Sequence, residues 1–119
     1  MAQHNELGKK GEEIAQDYLL RKGYKILETN WQYRYAEIDI IALIKDTLVV
    51  VEVKTRTSEA YGKPEMFVNK KKIKLLIEAV NHYVQQQDFD FEIRFDIISI
   101  IKNQYKEELE HFENAFFWF

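Results

Sequence analysis

Two strand-like apolar runs stand close together in this sequence, and they constrain the fold more than any other feature. The run EIDIIAL covers residues 37–43, and TLVVVEVK covers residues 47–54. Aliphatic and β-branched residues in runs of this length are typical of strands, and the polar residues Lys45 and Asp46 between them favour a tight turn. The pattern predicts a β-hairpin whose second strand is interrupted by charged residues near its end.

The remaining elements follow from helical periodicity and from turn residues. Apolar residues recur at helical spacing over residues 5–22 and 69–86, with Asn5 and Asn69 as N-caps and Gly23 at the end of the first helix. The other segments are a short strand at 24–28, a loop at 55–66, a strand at 91–101, and an aromatic C-terminal segment at 111–119 that either packs on the sheet as a short strand or contacts another subunit. The order αβββαβ predicts an α/β or α+β domain with a mixed central sheet flanked by helices.

Length and composition narrow the class of protein. The chain has 119 residues, which predicts one domain covering residues 1–119. It contains no cysteine, which excludes structural disulfides and thiolate metal sites. No stretch approaches the ~20 apolar residues of a membrane span, and the N-terminus has no apolar signal region. We therefore expect a cytoplasmic protein with no membrane partner.

Charge is distributed unevenly along the chain. Residues 1–74 carry 14 Lys and Arg against 11 Asp and Glu, a net charge of +3, whereas residues 75–119 carry 3 against 9, a net charge of −6. The overall charge of −3 is not typical of a nucleic-acid-binding protein. The basic half keeps a nucleic-acid partner open, and solvated charge without a function is the alternative.

Asp39, Glu52 and Lys54 bring opposite charges to one face of the predicted hairpin. Glu52 and Lys54 are two residues apart and therefore share a strand face. A two-residue turn at 45–46 pairs Asp39 with Glu52, and a turn longer by two pairs Asp39 with Lys54; a one-residue bulge would break this inference. Two facing carboxylates repel each other, and either Lys54 or a divalent cation such as Mg²⁺ or Mn²⁺ would offset that repulsion. A surface ion-pair cluster and a metal site both stay open from these residues.

Further charged residues flank this group in the sequence. Glu12 lies about 100° from the centre of the apolar face of the first helix, at the border of its buried stripe, whereas Glu13 points to solvent. Glu12 is therefore either a side chain that reaches the sheet or an ordinary exposed glutamate. Basic residues follow the hairpin and open the second helix, where they form either a phosphate-binding surface or a solvated face: Arg56, Lys70, Lys71, Lys72 and Lys74.

Several segments together resemble a known family. They are GKKGEEIAQDYLLRKGYKIL, AEIDIIAL, LVVVEVKTR, YGKP, RFDIISI and NAFFWF, and they cover nearly the whole chain in order. The combination resembles the YraN-like uncharacterised protein family, which is grouped by fold with the PD-(D/E)XK endonuclease-like superfamily and with archaeal Holliday junction resolvases. Ala36 stands where the family usually has glycine, and Ile38 stands where the superfamily has proline. The resemblance implies an α/β fold with a restriction-endonuclease-like core.

The same resemblance implies roles for individual residues. Asp39, Glu52 and the backbone carbonyl of Val53 would hold Mg²⁺ or Mn²⁺, with Glu12 completing the site through water or a second metal. Lys54 would orient the attacking water and stabilise charge on the phosphate. The residues that would contact the nucleic-acid backbone are Arg56, Lys70, Lys71, Lys72 and Lys74.

Three functions from different classes are therefore expected. The first is a metal-dependent DNA endonuclease that hydrolyses phosphodiester bonds, with selectivity for branched DNA and with a homodimer as one assembly it could form. The second is a nucleic-acid-binding module that has the nuclease fold but no useful catalysis. The third is a protein-interaction domain that uses residues 115–119 as its contact.

Overall fold

The computed structural model describes residues 6–58, 69–87 and 90–115 of the chain. In chain order the elements are α1 (Glu6–Arg21), β1 (Lys25–Tyr33), β2 (Ala36–Ile44), β3 (Thr47–Arg56), α2 (Lys70–Gln87), β4 (Glu92–Lys102) and β5 (Glu107–Phe112). The predicted order αβββαβ is confirmed, with one further strand after β4. The predicted cap Asn5, most of the predicted loop at 55–66 and the last four residues of the C-terminal segment lie outside the described residues.

The strands form one mixed sheet in the order β1-β2-β3-β4-β5. Neighbouring strands are antiparallel, except that β3 and β4 run parallel. A parallel pair needs a crossover, and here α2 lies in the chain between β3 and β4. The arrangement is an α/β fold that is compatible with a restriction-endonuclease-like core.

The hairpin of β2 and β3 has the predicted two-residue turn. Ile44 pairs with Thr47, which leaves Lys45 and Asp46 as the loop. Lys45 has a φ of 51°, in the left-handed region that tight hairpin turns require. The register of the hairpin is therefore fixed at the end of the sheet opposite to Glu52.

The two helices cover opposite faces of the sheet. Leu48 and Val50 of β3 belong to the core that includes Leu76 and Val80 of α2, and we call this side the α2 face. The alternate residues Val49 and Val51 belong to the core that includes Ala15 and Leu19 of α1, on the α1 face. Because successive strand residues point to opposite faces, both faces of β3 need to be apolar, which explains its continuous apolar run.

Both helix ends that approach the sheet are closed by the residues the sequence predicts. At the end of α1, the N–H of Tyr24 donates to the carbonyl of Leu19 and the N–H of Gly23 donates to that of Leu20, while Gly23 has a φ of 93°. This is the Schellman pattern, in which glycine avoids the strain of a left-handed conformation. At the start of α2, the side chain of Asn69 accepts a hydrogen bond from the N–H of Lys72 at 2.9 Å.

Strand β1 is longer than the predicted strand at 24–28. It continues through TNWQY to Tyr33, paired with β2 as far as Ala36. This stretch contains polar residues because β1 is an edge strand with much of its surface in solvent. Its sequence therefore lacks the apolar pattern that predicts a strand. Trp31 and Tyr33 nevertheless pack against the core on the α2 face.

Strand β5 includes residues 111–112 of the C-terminal segment that is predicted to pack on the sheet or to contact another subunit, and residues 116–119 of that segment lie outside the described residues. It starts at Glu107 and pairs antiparallel with β4. Its sequence EELEHF is mostly polar, since β5 forms the other edge of the sheet. Among the described residues, no helix is long and apolar enough to cross a membrane.

A buried polar network joins β5 to α1 and β4. Asp96 is completely buried, and its carboxylate is held by the guanidinium of Arg94 at 2.8 and 2.9 Å and lies 2.7 Å from Nε2 of His111. Nδ1 of His111 is 3.0 Å from the hydroxyl of Tyr18, and the N–H of Asn114 donates to Asp96. Burial would raise the pKa of Asp96, but these partners outweigh it and hold that pKa below its usual value.

Candidate functional site

Asp39 lies where the pairing of β2 and β3 ends. The last pair is Ile40 with Val51, so the ladder stops one residue before the expected pair of Asp39 with Glu52. Beyond it, the backbone N–H of Val53 donates to Oδ2 of Asp39 at 2.8 Å. The carboxylate thus bonds to the β3 backbone at this point, and this bond positions Asp39 beside the segment that carries Glu52.

The alternation of side chains along β2 is interrupted at Asp39. Ile38 packs in the core on the α2 face, whereas Ile40 packs in the core on the α1 face. Two residues separated by one normally share a face, so the backbone must rotate between them. Asp39 therefore lies near charged side chains of both helices. Glu12 of α1 raises its pKa, and Lys72 of α2 lowers it.

Glu52 is a buried carboxylate with two lysines on the same oxygen. Its residue is 8% exposed. The ammonium of Lys72 donates to Oε1 of Glu52, and Nζ of Lys54 lies 3.2 Å from the same atom. Lys54 shares the strand face of Glu52, as the spacing predicts, whereas Lys72 approaches from α2. Glu52 therefore forms ion pairs with one lysine of β3 and one lysine of α2.

Glu12 reaches the end of β3 because α1 approaches that strand very closely. A Cβ added to Gly11 would lie 1.8 Å from Oγ1 of Thr55, so a side chain at this position would not fit without movement. The next residue, Glu12, is 7% exposed, whereas Glu13 is exposed. The absence of a side chain at position 11 therefore brings the Glu12 carboxylate toward the sheet.

The concentration of buried negative charge changes the acidity of Asp39. Burial and the neighbouring Glu52 raise the pKa of Asp39 to about 7, with a smaller contribution from Glu12. The hydrogen bond from Val53 and the charge of Lys72 act in the opposite direction. Strongly shifted carboxyl groups of this kind are typical of catalytic and ligand-binding sites.

The carboxylates of this cluster are oxygen ligands of the kind that Mg²⁺ binds, but they are too few to fill its coordination sphere. Within residues 6–58, 69–87 and 90–115, no group of three His, Cys, Asp or Glu side chains is arranged to hold a metal ion. Two carboxylates are nevertheless enough for Mg²⁺, which usually keeps several waters and takes oxygen atoms from substrate phosphate. The ammonium of Lys72 on Glu52 shows that this oxygen already attracts a cation.

The predicted nucleic-acid-binding residues differ in their exposure. Arg56 is half-buried in β3, where it pairs with Ile101, and Lys72 is turned toward Glu52. The lysines that are exposed on the first turns of α2 are Lys70, Lys71 and Lys74. Lys72 therefore belongs to the carboxylate cluster, which the run NKKKIK alone does not indicate.

A signal for the position of Lys72 does exist in the sequence. Lys72, Leu76 and Val80 are spaced by four residues, so they lie along one side of a helix. Leu76 and Val80 are buried in the core on the α2 face. A lysine at the start of this apolar row has to direct its stem toward the sheet. In contrast, no local pattern relates Asp96 to His111, which meet only through the pairing of β4 and β5.

Comparison with known proteins identifies the family to which this chain belongs. Residues 11–100 match the family model described as "Uncharacterised protein family UPF0102". A UPF0102 protein of Christiangramia forsetii and one of Flavobacterium psychrophilum are each 55% identical to this chain over 119 residues, covering all of both chains. A relative from Thermodesulfovibrio yellowstonii is 46% identical over 112 residues, which are 94% of this chain and 96% of the relative. The resemblance to the YraN-like family is confirmed, and the chain belongs to the uncharacterised protein family UPF0102.

Proposed function

We propose that this protein is a divalent-metal-dependent DNA endonuclease that hydrolyses phosphodiester bonds and prefers branched DNA. The observation that carries the proposal is the buried group of Asp39 and Glu52, where the pairing of β2 with β3 ends, with Lys54 at 3.2 Å from Glu52. An ion pair between Glu52 and a lysine would not need Asp39 as well. Burial of Asp39 beside Glu52 raises the pKa of Asp39. Such an unfavourable arrangement is typical of a site that binds a cation.

The carboxylates would hold the metal ion. Asp39, Glu52 and the carbonyl of Val53 would bind Mg²⁺ or Mn²⁺, and Glu12 would complete the site through water or a second ion. The bound ion would supply Lewis acidity and lower the pKa of a water molecule. The hydrogen bond from Val53 to Asp39 and the contact of Gly11 with Thr55 keep these groups in place before substrate arrives.

Lys54 would act on the reacting groups. Its ammonium lies on the same strand face as Glu52, so it would orient the attacking water and stabilise negative charge on the phosphate. The exposed lysines at the start of α2, together with Arg56, would bind the DNA backbone without reading its sequence. Any preference would then come from the shape of the DNA, and branched substrates are proposed because the family resembles Holliday junction resolvases.

The test is a cleavage assay on the full chain with a labelled four-way junction, a flap, a duplex and a single strand. Each is incubated with Mg²⁺, with Mn²⁺ or with EDTA. We expect metal-dependent nicking that falls at least 100-fold in Asp39→Asn, Glu52→Gln and Lys54→Met, as expected for groups that stabilise the transition state. The matched control is Glu13→Gln, which alters an exposed glutamate next to Glu12 and should retain activity. Cleavage that persists in the three site variants would contradict the proposal.

A nucleic-acid-binding module without catalysis is the second candidate, and one contact favours it. The ammonium of Lys72 already compensates Glu52, so the carboxylate group can exist without a metal ion. In that case DNA binding should be strongly salt-dependent and should survive Asp39→Asn and Glu52→Gln, while no cleavage appears under any of the conditions above. Fluorescence anisotropy at several salt concentrations separates the two candidates.

A further inference from the structure

We propose that Lys72 is the internal counter-ion of the carboxylate cluster: it holds Glu52 when no divalent cation is bound, and a cation that binds Glu52 displaces it. The released ammonium then becomes available to the phosphate of the substrate. The first part concerns the protein by itself. The displacement rests on the proposed metal-dependent function.

The backbone of Lys72 is fixed, so only its side chain can respond to a cation. Its N–H donates to the side chain of Asn69 at 2.9 Å, and the N–H of Ile73 donates to the carbonyl of Asn69 at 3.0 Å. Leu76, one turn further along α2, is buried in the core. The helix start therefore cannot move away from the sheet without losing its cap and its packing.

The charge of Lys72 acts on both carboxylates of the hairpin. Its ammonium donates to Oε1 of Glu52, and its positive charge also lowers the pKa of Asp39. Burying like charges without compensation is strongly unfavourable, so a nearby cation is needed when no metal ion is present. Lys72 provides this cation from the helix, and Lys54 provides a second one from the strand.

The ammonium groups of Lys72 and Lys54 both lie on Oε1 of Glu52, so a metal ion bound to that oxygen would compete with them directly, and Lys72 is the more exposed of the two lysines. Two positive charges about 4 Å apart repel each other strongly in a partly buried site. The side chain of Lys72 is 35% exposed and has a flexible four-carbon stem, so it can turn toward solvent or toward an anionic substrate. The same residue would then change from a partner of Glu52 to a partner of the substrate phosphate.

The first experiment tests the ion pair in EDTA, where no metal contributes. Thermal unfolding is measured for the parent, Lys72→Met, Glu52→Gln and the double variant, with Lys71→Met as a matched control on the exposed side of the same helix turn. We expect Lys72→Met to lower Tm by roughly 3–6 °C in the parent and by much less in the Glu52→Gln background. An equal effect in both backgrounds would show that the two residues are not coupled and would overturn the proposal.

The second experiment tests displacement, with Mn²⁺ itself as the probe. Isothermal titration is carried out on the parent, Lys72→Met and Lys71→Met at low ionic strength. We expect Lys72→Met to bind Mn²⁺ roughly three- to tenfold more tightly than the parent, while Lys71→Met stays within about twofold. Equal or weaker binding in Lys72→Met would overturn displacement, since a competing cation has then not been removed.

The two experiments distinguish failure of this inference from failure of the proposed function. If the parent binds Mn²⁺ and cleaves DNA but Lys72→Met gains no affinity, displacement is wrong and the nuclease stands. If neither protein binds Mn²⁺ and no cleavage occurs, the proposed function and displacement fail together. In that case the EDTA measurements still decide whether Lys72 is the counter-ion of Glu52.

Discussion

Gly11 of α1 faces Thr55 of β3 at a distance that leaves no room for a side chain, since an added Cβ would lie 1.8 Å from Oγ1 and 2.8 Å from Cβ of Thr55. This contact sets the depth at which α1 packs on the sheet. It also sets the position of Glu12, the residue that follows in the helix. A structural feature without charge therefore determines where one of the proposed functional carboxylates lies.

Gly11→Ala should destabilise the protein by about 1–3 kcal/mol, because the methyl group forces α1 and β3 apart. Alanine at an unconstrained helix position would instead stabilise by about 1 kcal/mol relative to glycine. Urea unfolding measures the difference. Adding Thr55→Ala should recover part of the loss, since it removes two of the three atoms closest to the new methyl group. A neutral or stabilising Gly11→Ala would show that the helix can move without penalty.

The stability of the metal-free protein should depend on the ionisation of Asp39. Its pKa is about 7 in the folded chain and 3.8 in its ordinary state, so the folded chain keeps a proton that the unfolded chain releases between these values. The resulting stabilisation is fully present below about pH 4 and is lost as the pH rises through about 7. With about 1.4 kcal/mol per unit of pKa difference, the loss from pH 5 to pH 8 is about 3 kcal/mol.

Urea unfolding in EDTA at pH 5 and pH 8 checks this expectation, with Asp39→Asn as the reference. Asparagine does not ionise, so the variant should lose about 3 kcal/mol less than the parent over the same interval. Other titrating groups affect both proteins and cancel in the comparison. Equal losses in the two proteins would mean that Asp39 is not the group that takes up the proton.

Asp96→Asn should destabilise the fold by about 3 kcal/mol, because it leaves the positive charge of Arg94 without its buried partner. Asp17→Asn changes an exposed aspartate of α1 and should have little effect on the same unfolding measurement. The lowered pKa of Asp96 gives a pH dependence opposite to that of Asp39. Its stabilisation is present above the ordinary value of 3.8 and is lost as the pH falls through the lower pKa of the folded protein.

The exposed lysines of α2 should contribute to DNA binding through charge alone. Replacing Lys70, Lys71 and Lys74 with glutamine should weaken binding to a similar degree for different DNA sequences. Each lost phosphate contact should reduce the slope of log affinity against log salt by about 0.9. Lys106→Gln, in the turn before β5, is the control, because this lysine lies 3.4 Å from Glu108 on an acidic strand. An unchanged slope in the triple variant would place the DNA elsewhere.

Much of the fold follows from local patterns in the sequence. The two-residue turn at Lys45 and Asp46, the end of α1 at Gly23 and the cap of α2 at Asn69 each depend on a few adjacent residues, and the structure confirms all three. The continuous apolar run of β3 has the same origin, because helices on both faces demand apolar residues at every position. Such features can be predicted, since no distant contact is needed to specify them.

The features that the sequence does not reveal depend on distant contacts or on solvent. The edge strands β1 and β5 are too polar to stand out, since much of their surface needs no apolar partner. The interrupted alternation at Asp39 is visible only from the different cores that Ile38 and Ile40 join. The bond of Lys72 to Glu52 joins residues 20 positions apart, and only the approach of α2 to β3 creates it.

The Lys45–Asp46 turn has a practical consequence. Asp46 lies six residues before Glu52, so about 20 Å of strand separates the turn from the carboxylate cluster. The chain contains no cysteine, and Asp46 is exposed. Asp46→Cys would therefore create a single thiol for a dye or a surface tether. Individual molecules could then be attached with the carboxylate cluster directed away from the surface and toward the solution.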